Sequence, residues 1–363
     1  LNAGSYTNIT QNDVTKPVLF NARRYVGNDT VRDLTGFGFQ PDLCWFKERD
    51  TSNNYQIMDS VRGGSKVIYS NHLYSQADRS GNHGFVKRFN ADGIMLSSDT
   101  DDHGINQTGE PTIIWGWKAG NSVASIGSGL TNCSAVTQSA SSTSGFSITQ
   151  YTGGSSGDIA FPHNLGGVPE FIMIKKISGD QAWLVYHKDT GDGYNIFLNT
   201  DAARTGTTPD GFYGTQTSTN IVLTAAGNSS NGNFGNGTFI CYAWKAVAGV
   251  SAFGSFSGSG SGTSVTTTDG STSIGFRPKY LMIKRINDTG PWLIYDTIRF
   301  GTSNVTGVLE ANDNKTEASA FGNNRRFALG EDQSGSSING FSFPASNENS
   351  VGGSGTFIFM AFA

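Results

Sequence analysis

Charged side chains are scarce in this chain: Asp, Glu, Lys and Arg together make up 15% of its 363 residues. Helices draw heavily on Lys, Glu and Arg, so this shortage argues against a helical protein. The 25 Lys and Arg residues never gather beyond pairs such as Arg23-Arg24, Lys175-Lys176 and Arg325-Arg326, and the formal net charge is −4. Nothing resembles a footprint for phosphate backbone, which disfavours nucleic acid as a partner. No apolar run approaches the roughly 18 residues that cross a bilayer as a helix, so no membrane insertion is expected. Three widely spaced cysteines, Cys44, Cys133 and Cys241, with no Cys-x-x-Cys pair, provide neither a disulfide framework nor a zinc site. The first ten residues have neither a basic start nor an apolar centre, so a secretory signal is not expected and the chain reads as a mature or trimmed form.

Catalytic signatures are equally sparse. His72, His83, His103, His163 and His187 form no His-x-His or His-Glu-x-x-His pattern, and no Gly-x-Ser-x-Gly elbow occurs. Glycan hydrolysis would need two carboxylates about 5 to 10 Å apart in a cleft. The acidic residues lie mostly in loops instead, as with Asp99, Asp101 and Asp102 beside His103, or Glu331 and Asp332. The Asp99–Gly104 stretch alternates oxygens like a calcium loop but lacks the third ligand and the distal Glu. Gly258–Gly262 precedes no helix or Lys-Thr pair that would bind phosphate. No catalytic residue, metal or cofactor is therefore expected.

What the chain has in abundance is Gly (48), Ser (41), Thr (35) and Asn (30), about 42% of all residues, together with 24 Phe, 12 Tyr and 6 Trp. The first group is turn and strand-edge chemistry, and the second supplies apolar area for real cores. An all-β fold follows.

A repeat organises it. Pro41, Pro169 and Pro278 each precede a four-residue apolar run that ends at Lys47, Lys175 or Lys284. Eighteen residues after each Pro, a second apolar strand closes on a polar residue: Asp59, His187 and Asp296. Asp92-Gly93, Asp210-Gly211 and Asn339-Gly340 then supply tight turns, and each copy finishes on a strand at Thr112–Ala119, Thr238–Ala246 or Thr356–Ala363. Three tandem β-sandwich modules of jelly-roll character are predicted, at 1–120, 121–248 and 249–363, each with its own core. In the first, strands are expected near 18–27, 42–48, 55–60, 66–71, 83–90, 93–98 and 112–119, with helices no longer than a single turn. Asn121–Ser144 has the composition of a flexible connector or of a strand. Phe253–Ser273 is placed in the third module, with 257–263 as a loop.

The run after each Pro is apolar on both faces, since Leu43 and Trp45 point one way and Cys44 and Phe46 the other. Such a strand needs a second cover, either a neighbouring module or a partner chain. The Lys at its end is expected to snorkel over the sheet rim. Trp45, Trp117, Trp183, Trp244 and Trp292 occupy repeat or strand positions and are assigned to the core. Stacking on a sugar would fall to loop aromatics, for which Tyr55, Tyr74, Tyr194 and Tyr213 are the candidates.

As a set, these phrases resemble a triplicated module of tail-fibre and related virion structural proteins of tailed bacteriophages, especially marine ones. The residues that carry the resemblance are Phe39, Pro41, Trp45, Lys47, Asp59 and Val61-Arg62-Gly63, then Pro169, Lys175, His187 and Trp244-Lys245-Ala246, then Phe276-Arg277-Pro278, Lys284-Arg285, Trp292 and Asp296. Trp117-Lys118-Ala119 belongs to the same set, whereas the third module ends in Ala361-Phe362-Ala363. The resemblance implies a non-enzymatic virion protein, a fibre or spike subunit that binds host cell-surface glycan. It would assemble with other virion proteins and as a homo-oligomer, a trimer if it is a fibre. A head-decoration or head-fibre protein, a glycan depolymerase and a bacterial surface adhesin are the alternatives.

Overall fold

The computed structural model describes residues 17–363 apart from 82, 101–102, 156, 207–211, 225–235, 259–262, 268–272, 303–306, 318–327, 333 and 344–353. The fold is all-β, and every sheet is antiparallel. The helical turns among the described residues are Lys188–Thr190 and Thr297–Phe300, so none of them is long and apolar enough to cross a membrane.

Each module builds one sheet on the same plan. An opening strand pairs with the closing strand, which pairs with the Pro-led strand, which pairs with a return strand. In module 1 these are Phe20–Val26, Pro111–Trp117, Leu43–Glu48 and Gln56–Asp59; in module 2, Phe146–Gly153, Gly237–Trp244, Phe171–Lys176 and Leu184–His187; in module 3, Ser251–Gly258, Gly355–Phe362, Tyr280–Arg285 and Trp292–Asp296. Register repeats as well. Leu43 faces Trp117 and Asp59, Phe171 faces Trp244 and His187, and Tyr280 faces Phe362 and Asp296. A second, smaller sheet covers one side of each: Arg32–Thr35 with Gly93–Leu96 and Val86–Asn90, Ile159–Pro162 with Asn220–Leu223, and Thr263–Val265 with Ser337–Phe343 and Ala328–Glu331. Among the described residues no sheet mixes strands of two modules.

Several local expectations change. Arg32–Thr35 and Ala77–Asp78 are strands that the alternation did not reveal. The Ser-rich 121–144 stretch is no loose connector: Ala124–Ile126 and Cys133–Ser141 extend the second module's sheet at its edge. Of the expected loop at 257–263, Ser257 and Gly258 lie in a strand, Thr263 begins another, and 259–262 fall outside the described residues, as does the Asp210-Gly211 turn. Gly93 is required where it stands, because a Cβ there would lie 2.0 Å from the Leu34 carbonyl oxygen and its φ is +139°.

The second cover demanded by the two-sided strands is intramolecular. Cys44 and Phe46 pack beneath module 1's own small sheet, whereas Leu43 and Trp45 enter a fourth core shared by all three modules. Phe171 with Met173, and Tyr280 with Met282, enter it from the other two. The modules therefore close into a ring around a common aromatic centre. There Trp117 lies 6.2 Å from Trp244, 5.5 Å from Tyr280 and 5.7 Å from Phe362, between ring centroids. Phe362 holds the place of the tryptophan in the other copies, which is why the third module tolerates its altered ending. Each large apolar side chain withdrawn from water contributes about 1.5–3 kcal/mol, so the shared core is a large stabilising contact among the three modules.

Candidate functional site

The repeat-equivalent polar residues meet at three joints, module 1 on 2, 2 on 3 and 3 on 1. One backbone hydrogen bond recurs at each: Gln76 N–H to the Ile177 carbonyl (3.2 Å), Arg204 to Ile286 (3.0 Å) and Glu317 to Arg49 (2.7 Å). The Trp183 indole donates to the Tyr69 carbonyl (2.8 Å) and Trp292 to Phe197 (2.9 Å), both across a joint.

The polar residue ending each return strand sits at the centre of its joint. Asp59 holds Arg62 at 2.5 Å and accepts the Tyr242 hydroxyl at 2.7 Å, while Arg62 reaches Gln76 at 3.2 Å. Asp296 holds Arg299 at 2.5 Å and accepts the Trp115 indole N–H at 3.1 Å, while Arg299 pairs with Glu317. In the second module the set changes together. Met360 stands where Tyr242 and Trp115 stand and has no proton to donate, so a carboxylate facing it would be a buried charge short of a partner. His187 replaces the Asp, donating from Nε2 to the Phe359 carbonyl (3.1 Å) and accepting the Asp189 N–H at Nδ1 (3.1 Å). Thr190 replaces the Arg, and the guanidinium comes from Arg204, which stands where Gln76 and Glu317 stand and donates to the Thr190 carbonyl at 3.1 Å. Burial pushes the His187 pKa down to about 3, so the ring is neutral.

The three lysines are not rim residues. Lys47, Lys175 and Lys284 are buried, and each ammonium is wrapped by backbone carbonyls. Lys47 donates to Glu48 and Thr51 (2.6 and 2.8 Å), Lys175 to Leu73 and Gln181 (2.7 and 2.6 Å), and Lys284 to Asp201, Arg285 and Gly290 (3.1, 2.8 and 2.8 Å). Leu73 and Asp201 belong to the preceding module, so two of the lysines also bind a joint. Burial lowers their pKa values to about 8, 8 and 7.

The four candidate tyrosines separate. Tyr55 is fully buried in the shared core and packs edge-on against Trp45, so it offers no face to a ligand. It stands fourteen residues after Pro41, as Trp183 and Trp292 do after Pro169 and Pro278, an interval that marks it as core. Tyr213 is buried beneath module 2's sheet, its hydroxyl donated to the Leu184 carbonyl at 3.1 Å. Tyr194 is half-buried, with the Arg204 guanidinium 4.3 Å from its ring centre.

Tyr74 is different: it is 52% exposed. Its ring lies parallel to His72 at 4.5 Å, and Tyr69 meets both edge-on. His72 is anchored through Nε2 to Asn54 (3.0 Å), which also accepts from Asn71 (2.8 Å), and burial lowers its pKa. The flanking residues are pinned across the 1/2 joint. The Leu73 carbonyl takes Lys175 and the Gln181 N–H (2.9 Å), and the Ser75 N–H donates to the exposed Asp180 carboxylate at 2.7 Å. The result is an aromatic platform with one open face, backed by a neutral imidazole, with a carboxylate alongside that can accept hydroxyl protons.

Among the acidic residues, partial burial and the neighbouring Asp50 and Glu48 carboxylates raise the pKa of Glu110. Glu48 accepts from Thr51 and Asn53, Asp42 from Gln40 and Ser60, and Asp99 from the Asn106 N–H. Asp101 and Asp102 of the calcium-like stretch lie outside the described residues. Among the described residues no group of three or more His, Cys, Asp or Glu side chains is placed to hold a metal ion.

Fold and joints together define an all-β protein in which one sheet plan recurs three times around a shared core within one chain. The chain belongs to the family described as Domain of unknown function (DUF7483), which matches residues 17–363. No curated protein and no solved structure matches it.

Proposed function

We propose that this chain is a non-catalytic virion protein, a fibre or spike subunit of a tailed phage, and that it binds host cell-surface glycan through the Tyr74 platform. The carrying observation is the exposed Tyr74 ring, held flat on His72 beside Asp180 by contacts from two modules. A pyranose has an apolar face that stacks on such a ring and hydroxyls that seek such a carboxylate. The anchored backbone lowers the cost of ordering the site on binding. The buried carboxylates and lysines are engaged in joints and turns, which supports binding without turnover. The virion assignment rests on the resemblance of the repeated phrases, and avidity would come from many copies on one particle.

A head-decoration role is the second reading. It is favoured by the ring itself, which covers the two-sided strands without a second copy and so removes that structural motive for a trimer.

The test is binding of the labelled full chain to intact candidate host cells, with released surface polysaccharide as competitor and its length followed. Saturable, competed binding with unchanged polysaccharide supports the proposal. Shortening of the polysaccharide would replace it with a depolymerase, and absence of binding to a susceptible host would favour decoration.

A further inference from the structure

The joint between modules 3 and 1 differs from the other two in the residues that flank the repeat proline. Leaving module 1, the Ala119 and Asn121 N–H groups donate to Asp42 Oδ2 at 2.7 and 3.2 Å. Leaving module 2, the Ala246 N–H donates to Glu170 Oε1 at 3.0 Å. Each acceptor is the residue after the repeat proline. At the third joint Ala363, whose N–H donates to the Val250 carbonyl, stands where Lys118 and Lys245 stand in the other modules. There the residue after Pro278 is Lys279, and Arg277 stands before the proline, where the other modules carry Gln40 and Val168. The hydrogen-bonding sense of the joint is thus inverted, from a carboxylate awaiting N–H donors to cations awaiting an acceptor.

This same place is a groove of about 410 Å³, with apolar walls that include Val18, Leu19, Val250 and Phe276, and with Arg277 and Lys279 in its lining. Val18 is 47% exposed. Among the described residues no ion pair is formed by Lys279, and burial lowers its pKa, so its ammonium sits partly desolvated in the groove. Arg277 is exposed and has the half-buried Glu331 at 3.7 Å, a loose pair. At the other two joints the chain itself supplies N–H donors at this place, and here a partner would supply acceptors and apolar side chains.

We propose that the groove between modules 3 and 1 is a docking site for an extended acidic peptide segment of a partner protein, its carboxylates on Lys279 and Arg277 and its apolar side chains on the groove walls. This proposal stands independently of the glycan reading.

The test uses the full chain and two blocked, fluorescent peptides, acetyl-Glu-Val-Glu-Val-Glu-amide and its Gln counterpart, followed by anisotropy. The acidic peptide should bind and the Gln peptide should bind at least about tenfold more weakly, since charge-assisted hydrogen bonds are lost. The double variant Arg277→Gln, Lys279→Glu copies the side chains of the other modules and should lose the acidic peptide by a similar factor with an unchanged melting temperature. Equal binding of both peptides, no binding of either, or undiminished binding by the double variant overturns the proposal. Binding that emerges only when residues 1–16 are removed overturns it in favour of the chain's own leading segment. A dimer in sedimentation that the double variant dissolves overturns it in favour of a second copy.

Discussion

The Tyr242 hydroxyl donates to the Asp59 carboxylate over 2.7 Å, from the closing strand of module 2 to the return strand of module 1. The same carboxylate holds Arg62 at 2.5 Å and accepts the Val61 and Arg62 N–H groups, so one side chain fixes a turn, a guanidinium and a joint at once. Such a unit is sensitive to removal of its charge and less sensitive to removal of one donor. Asp59→Ala leaves Arg62 buried without its counter-charge and should cost about 3–5 kcal/mol, whereas Tyr242→Phe should cost about 1–3 kcal/mol. His187→Asp, which places a carboxylate opposite Met360, should cost as much as the loss of Asp59. Urea unfolding of the three variants measures all of this, and a harmless His187→Asp would remove the explanation of why that copy differs.

Stability should rise with pH through the neutral and mildly alkaline range. Lys47, Lys175 and Lys284 titrate at about 8, 8 and 7 in the folded chain against an ordinary 10.5. Between those limits the unfolded chain binds more protons than the folded one, so unfolding becomes less favourable as protons are withdrawn. On the acid side His187, neutral down to about pH 3 when folded and ordinarily titrating at 6.5, acts in the same sense, and stability is lost as pH falls below 6.5. Above about pH 9 the rise is offset, because burial holds Cys44, Cys133 and Cys241 protonated past their ordinary 9, and above about pH 10 the trend reverses, because buried Tyr55, Tyr151, Tyr213 and Tyr242 resist ionising while their unfolded counterparts do not. Melting temperatures from pH 5 to 11 test this, and Lys284→Met should flatten the rise between pH 7 and 10.

The repeat, the two-faced strands and the shared register were legible because a constant interval from Pro to the return strand leaves one hairpin geometry. The joints were not. They lie between loops whose equivalence, Asn71 with Asn199 and Asn312, emerges only once each is seen accepting the N–H of Tyr55, Trp183 or Trp292. The lysines deceived for a related reason. A Lys at a strand end ordinarily reaches water, and only the turn that follows gathers carbonyls around it. Tyr74 could be shortlisted by its loop position, but not told from Tyr213, because a hydroxylated ring suits a wet platform and a dry core equally well.

A ring whose ends meet should accept a change of starting point. Phe20 and Phe362 stack at 5.3 Å, and Pro17 and Ala363 line the same groove. A permutant with the 363-to-17 junction closed by a linker of about 4–6 residues, and opened in the exposed turn at Asn121-Ser122, should keep all three joints. Its melting temperature should lie within a few degrees of the parent's. A permutant that unfolds module by module would mean that the shared core does not couple the repeats.

Tyr74 and Tyr55 offer opposite outcomes for the same substitution. Tyr74→Ala removes an exposed ring that contributes little to the core, so stability should change by no more than about 0.5 kcal/mol. If the ring is the glycan platform, affinity for polysaccharide should fall about tenfold or more, and Asp180→Asn should weaken binding by a smaller factor. Tyr55→Ala empties a fully buried site and should cost about 3–5 kcal/mol while leaving the affinity of the remaining folded molecules intact. Binding isotherms on the folded variants separate the two effects. A Tyr74→Ala variant that binds polysaccharide as the parent does would take the site away from module 1 altogether, leaving the half-buried Tyr194 beside Arg204 as the remaining aromatic of the candidate set.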